Sequence, residues 1–167
     1  EATLTTNAAA GSLRILNNRD YTATAGGGAF INAGLLQLGG GTFSASSLAN
    51  SGTIEGFGTV AVAIANTGST VRAIGGTLAT QQITGGGDLV IAPGATLNMT
   101  AAPSGSSVAT LAHDGAALLL GTQNLTIAND YTNSAFGIGD AFDARAIVSG
   151  SGLILAPSAT QFLLAAG

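Results

Sequence analysis

Thr42, Thr59, Thr77 and Thr96 recur at steps of 17, 18 and 19 residues, and each is followed by an apolar residue: Phe43, Val60, Leu78 and Leu97. A second column runs ahead of the first through Leu36, Ile54, Val71 and Leu89, at steps of 18, 17 and 18. Two columns held in register define a repeat. A unit this short cannot close a hydrophobic core alone, so each must bury its apolar face against the next, which is the logic of a solenoid.

The material of the units makes the solenoid a β-structure. Thr53-Ile54-Glu55 and Asp88-Leu89-Val90-Ile91 are short and β-branched, and Gly58 to Ile64 alternates apolar with small residues as a half-buried strand does. Between them lie Gly39-Gly40-Gly41, Gly75-Gly76 and Gly85-Gly86-Gly87, together with Asn50-Ser51-Gly52 and Asn66-Thr67-Gly68. Glycine permits positive φ and asparagine tolerates it, so these segments read as corners. A pair of helices needs about 33 residues per repeat, whereas 17 to 19 suits one rung of a β-helix with neighbouring rungs ~4.8 Å apart. The expectation is an all-β fold, a right-handed parallel β-helix, over residues 1–167 as one segment. Residues 1–10 show no rung pattern and read as a cap or joining segment.

Only 7% of the 167 residues are charged, and the net charge is −4 with four well-separated arginines and no lysine. That offers no basic stripe for nucleic acid or for an anionic membrane surface. No run of eighteen apolar residues is present, and eight aromatics without banding do not supply the girdles of a transmembrane barrel, so no membrane insertion is expected. The chain has no cysteine, which fits export before folding.

A longer repeat is also visible, since Asp20-Tyr21-Thr22 recurs as Asp130-Tyr131-Thr132 after 110 residues, in similar surroundings. It suggests that a block of rungs begins again near residue 125 and that the sequence is a window onto a longer array. The stretches LANSGTIEGFGTVAVAIANTGSTVRAIGGTL, GGGDLVIAPGATL and LTIANDYTNSAFGIGDAFDARAIVSGSGLILAP resemble the passenger regions of large bacterial surface exoproteins, the autotransporter and filamentous-haemagglutinin-like adhesins. The resemblance covers Leu13 to Thr160. It implies a right-handed parallel β-helix at the surface of a Gram-negative bacterium or released from it, working in adhesion, aggregation or biofilm.

Candidates for chemistry are few. Glu55 and Arg72 occupy equivalent positions on neighbouring rungs, with Gln37 one rung before and Val90 one after. They read as an exposed cross-rung ion pair worth about 0.2 to 1 kcal/mol, and alternatively as a sugar-binding or catalytic acid beside an arginine. Asp130, Asp140, Asp143 and Arg145 form the most charged window. β-helix polysaccharide lyases hold Ca²⁺ with carboxylates from adjacent rungs and remove a proton with a basic side chain, so these three aspartates are the calcium candidates. The simpler reading is a loop whose aspartates cap backbone N–H groups. His113-Asp114 lies beside a glycine and reads as a turn, because no nucleophile elbow accompanies it. Asn98-Met99-Thr100 and Asn124-Leu125-Thr126 match the glycosylation acceptor pattern. The threonine column lacks the second rank that an ice-binding face needs and reads as a hydroxyl ladder.

These readings converge on a structural and binding segment of an extracellular bacterial adhesin, without catalysis or cofactor. Its partners are host or environmental surface glycans or like chains, with head-to-tail self-association open to it through unpaired solenoid ends. A self-assembling filament subunit and a carbohydrate-active β-helix enzyme are the alternatives.

Overall fold

The computed structural model describes residues 3–114, 117–133, 147–150, 154–155 and 162–164. All their strand pairings are parallel, and the chain winds as a right-handed β-solenoid with three faces. The first face begins with Ser12–Ile15 and continues through the leading halves of Leu35–Ser44, Thr53–Val60 and Thr70–Thr80 to Asp88–Ile91, Thr110–His113 and Tyr131–Asn133. Its inward rank is Leu13, Leu36, Ile54, Val71, Leu89, Leu111 and Tyr131, each opposite the next. Apart from Leu13, which is half-buried at the end of the stack, these side chains are out of water. The steps along the rank are 23, 18, 17, 18, 22 and 20 residues, so the repeat of 17 to 19 holds between Leu36 and Leu89 and loosens on both sides.

Three long strands, Leu35–Ser44, Thr53–Val60 and Thr70–Thr80, run round the next corner onto the second face. They bend at glycines with φ of +106° (Gly40), +119° (Gly56) and +77° (Gly75), a region closed to most L-residues. Here the expected threonine column is corrected. Thr42 lies opposite Thr59 and Thr77 opposite Thr96, but Thr59 faces Ala79. The pairing steps from Gly56↔Ala73 to Gly58↔Leu78, so Thr70–Thr80 holds three more residues at this corner than its neighbour does. The bulge around Ile74-Gly75-Gly76 absorbs them and splits the column into two pairs. Inside the bend, Leu78, Leu97 and Leu118 continue one buried rank, while Thr80 extends the rank of Phe43 and Val60.

The third face begins with Thr6–Asn7, so the segment without a rung pattern in the sequence contains a strand. It continues through Ala29–Asn32, Ser47–Asn50, Ile64–Asn66 and Ile83–Thr84, then Ser106–Val108 and Leu125–Ile127. Alternation places Phe30, Leu48, Ile64 and Ile83 inward. At the N-terminal end of the core, Tyr21 stacks on Phe43 at 5.7 Å and Phe30 meets both rings edge-on.

The corner asparagines are not turn residues. Asn7, Asn32, Asn50 and Asn66 are buried strand residues one above another, and none has positive φ. Each Nδ2 donates to the Oδ1 of the next: Asn7 to Asn32, Asn32 to Asn50 and Asn50 to Asn66, all at 2.7 Å. The same amides satisfy corner carbonyls, as Asn32 does with Thr53 O at 3.0 Å. Ser69 closes the far end, its hydroxyl 2.7 Å from Asn66 Oδ1 and accepting from Asn50 Nδ2 at 2.9 Å. One rung on, the position in register with Asn66 is Gly85, whose φ is +110° and whose added Cβ would overlap the Asn66 carbonyl oxygen, so the ladder stops there. Gly34 and Gly52 complete the corner. A Cβ on Gly52 would overlap the Gly34 carbonyl oxygen, and one on Gly34 would overlap the carbonyl oxygens of Ala8 and Gly11.

Candidate functional site

Outward side chains of the first face alternate with the leucine rank, and Arg14, Gln37, Glu55 and Arg72 fall into one column, followed by Val90. Glu55 and Arg72 thus lie opposite each other on neighbouring strands. Among the described residues no ion pair joins them, and Glu55 Oε1 instead accepts from Gln37 Nε2 at 3.2 Å. An exposed ion pair gains little over hydration, so a neighbouring amide competes readily with a guanidinium. Elsewhere on this face, Arg14 Nε donates to Ser12 Oγ at 3.2 Å, and Thr110 Oγ1 donates to Asp88 Oδ1 at 2.6 Å.

Glu55 also borders an open cleft of about 420 Å³ at the corner of the first and third faces, with Ala9, Gly11, Gly34, Leu35 and Gly52. The glycines that line it are imposed by close approach of successive corners, so the cleft follows from how the rungs stack. Its polar lining side chains are those of Thr53 and Glu55.

His113 is placed otherwise than the turn reading expects. It ends the strand Thr110–His113 opposite Ile91 with its ring pointing inward and fully buried. Nδ1 lies 3.5 Å from the Tyr131 hydroxyl, and Nε2 has no hydrogen-bond partner among the described residues. Burial lowers the imidazole pKa below its ordinary value, and the neighbouring Asp114 carboxylate offsets this only in part. A ring sealed in this way has no access to substrate.

Asp130 is half-buried, and its backbone carbonyl accepts from Leu111 N at 2.9 Å. Asp140, Asp143 and Arg145 lie outside the described residues. Among the described residues, no group of three or more His, Cys, Asp or Glu side chains comes together as a metal site would require. Asn98 Oδ1 accepts from both the backbone N (3.0 Å) and the hydroxyl (2.8 Å) of Thr100, an Asx turn that ends the strand Thr96–Asn98. The repeated Asp-Tyr-Thr falls on two different faces, with Tyr21 opposite Phe43 on the second and Tyr131 opposite Leu111 on the first. No helix among the described residues is long and apolar enough to cross a membrane.

The asparagine ladder was open to sequence reasoning. Asn32-x-Gly34, Asn50-x-Gly52 and Asn66-x-Gly68 recur at steps of 18 and 16, and a buried amide stacked on its own kind satisfies donor and acceptor together. His113 left no comparable signal beyond its position in the alternation of Thr110–His113.

Fold and surface together define an all-β parallel solenoid, a class that hosts structural, adhesive and enzymatic proteins alike. Comparison with known protein families, with curated proteins and with solved structures finds no match to this chain.

Proposed function

We propose that the chain is a structural and binding segment of an extracellular adhesin, displayed at or released from a Gram-negative surface, with no reaction of its own. The observation that carries this reading is the outward column Arg14, Gln37, Glu55 and Arg72, which presents one polar side chain per rung along a stiff lateral face. Groups dispersed in this way do not converge on one reacting atom. They offer many weak, evenly spaced contacts to surface glycans or like chains, whose joint avidity exceeds that of any single contact. The same stack works as a spacer that holds a distal binding tip away from the cell.

The test is the mass, under denaturing conditions, of the native polypeptide that contains this sequence, joined to its accessibility to protease on intact cells. A chain many times longer than 167 residues and cleaved from outside is expected. A mature chain ending near Gly167, or one protected inside the cell, would contradict the reading.

The filament alternative has one observation in its favour. At the N-terminal end of the stack, Thr6–Asn7 and Ser12–Ile15 are edge strands, and Leu13 is only half-covered where the later members of its rank are sealed. These are the first strands of their faces in the given sequence, and such a parallel edge pairs equally with a further stretch of the same polypeptide or with another copy. Sedimentation of the purified chain over a wide concentration range tests this, with concentration-dependent rods expected if the chain polymerises and a single monomeric species if it does not.

A further inference from the structure

Asn7, Asn32, Asn50, Asn66 and Ser69 are buried polar side chains joined in one hydrogen-bonded run. Among the described residues two buried groups lack this provision, Thr80 Oγ1 and His113 Nε2, and of the two only the imidazole titrates near neutral pH. His113 is fully buried, and its neighbours explain why it is tolerated as the neutral form alone. The strand on one side contributes Ile91 and the strand on the other Tyr131, whose hydroxyl lies 3.5 Å from Nδ1. The buried side chains Met99, Val108, Leu120 and Ile127 of the surrounding rungs are apolar. On the described strands packed against it the titratable groups are Tyr131, Asp130 just before it, and Asp88, whose Oδ1 accepts from Thr110 Oγ1 at the far end of the His113 strand; Asp114 is next in the chain.

A neutral imidazole has one donor nitrogen and one acceptor. The imidazolium has two donors and a positive charge, and Nε2–H would then find no acceptor among the described residues, which is among the most unfavourable arrangements for a protein interior. Hydrating the ring requires its strand to part from a neighbour, and Thr110–His113 pairs with Asp88–Ile91 along its whole length. We propose that His113 is a proton-operated latch, and that acidification opens the rungs between Thr110 and Asn133 while those between Ala29 and Ile91 stay closed. Opening uncovers Asp88–Ile91 as a fresh sheet edge, able to pair with another strand.

The direction follows from linkage. Burial lowers the pKa of His113 in the folded state, so its contribution to stability is intact above the ordinary imidazole value of about 6.5 and is lost as pH falls below that, until the lowered native value is reached. Within that window the ratio of open to closed rungs rises about tenfold per pH unit for the one proton taken up.

Hydrogen exchange of the whole chain at pH 7 and pH 5, corrected for intrinsic chemical rates, tests the latch in the natural sequence, His113→Leu and His113→Gln. The expected result is loss of protection on acidification across Thr110–His113 and Leu125–Ile127, none across Ser47–Asn50 and Ile64–Asn66, and no acid step in either variant. Should the leucine variant fold poorly, the glutamine variant, polar but not titratable, decides alone. Retained protection at pH 5 in the natural sequence, or the same acid loss in a folded variant, would overturn the proposal.

Discussion

The rungs between Ala29 and Thr84 and those between Asp88 and Asn133 share three faces and one direction of winding, yet they treat interior polarity in opposite ways. In the first set a corner asparagine on each of three successive strands is handed from rung to rung at 2.7 Å, and the inward rank advances by 17 or 18 residues. In the second set the ladder is gone, the rank advances by 22 and 20, and the described interior polar groups include His113 with one nitrogen unpartnered. A buried amide is stabilising where its neighbours repeat it, because every donor then meets an acceptor. A buried imidazole in single copy has no such neighbour, and its tolerance depends on remaining uncharged.

The largest separation between the two sets is expected at their corner glycines. Gly52→Ala drives a Cβ into the Gly34 carbonyl oxygen, backbone that no rotamer change can move, and should destabilise by about 3 kcal/mol or more. Gly105→Ala, whose Cβ would meet only Asn124 O at 3.3 Å, should change stability by less than about 1 kcal/mol. Chemical denaturation of the two variants side by side checks the contrast, and equal losses would break it.

Next in size is the ladder itself. Asn50→Ala removes its bonds to Asn32, Asn66 and Ser69 from a sealed corner and should lower stability by about 2 to 3 kcal/mol. Asn129→Ala, at an exposed position in the second set, should fall within about 0.5 kcal/mol of the natural chain. Thr80→Val sharpens the point from the other side. It replaces a buried, unpartnered hydroxyl by a methyl of similar shape and should raise the thermal midpoint, by a gain of about 1 kcal/mol. The smallest effect belongs to the outward column, where Glu55→Gln preserves an acceptor for Gln37 and should alter stability by no more than about 0.5 kcal/mol, at low and high salt alike.

How far the sequence reveals this molecule depends on which periodicity carries the information. Leu36, Ile54, Val71 and Leu89 fill one buried rank, and a one-residue slip there would turn each strand inside out, so their spacing is legible. The threonines lie on the outer side, where a bulge at Gly75-Gly76 shifts the register without exposing any core, and their spacing misleads at Thr59. Asparagine is ambiguous by nature, since it favours turns and also stacks as an interior ladder, and only the corner geometry separates the two. Spacing sets Glu55 opposite Arg72, but the partner a half-buried carboxylate selects from an amide and a guanidinium is decided by small differences that spacing does not record.

The central claim, that the asparagine-laddered rungs are the most stable part of the described solenoid, is tested most directly by native-state hydrogen exchange along the chain in mild denaturant at neutral pH. The account predicts that amides of Ser47–Asn50, Thr53–Val60 and Ile64–Asn66 exchange only through global unfolding, while those of Thr110–His113 and Leu125–Ile127 exchange through a smaller opening, and that Asn50→Ala narrows this gap. Equal protection throughout, or rungs after Thr110 that outlast those around Asn50, would contradict it.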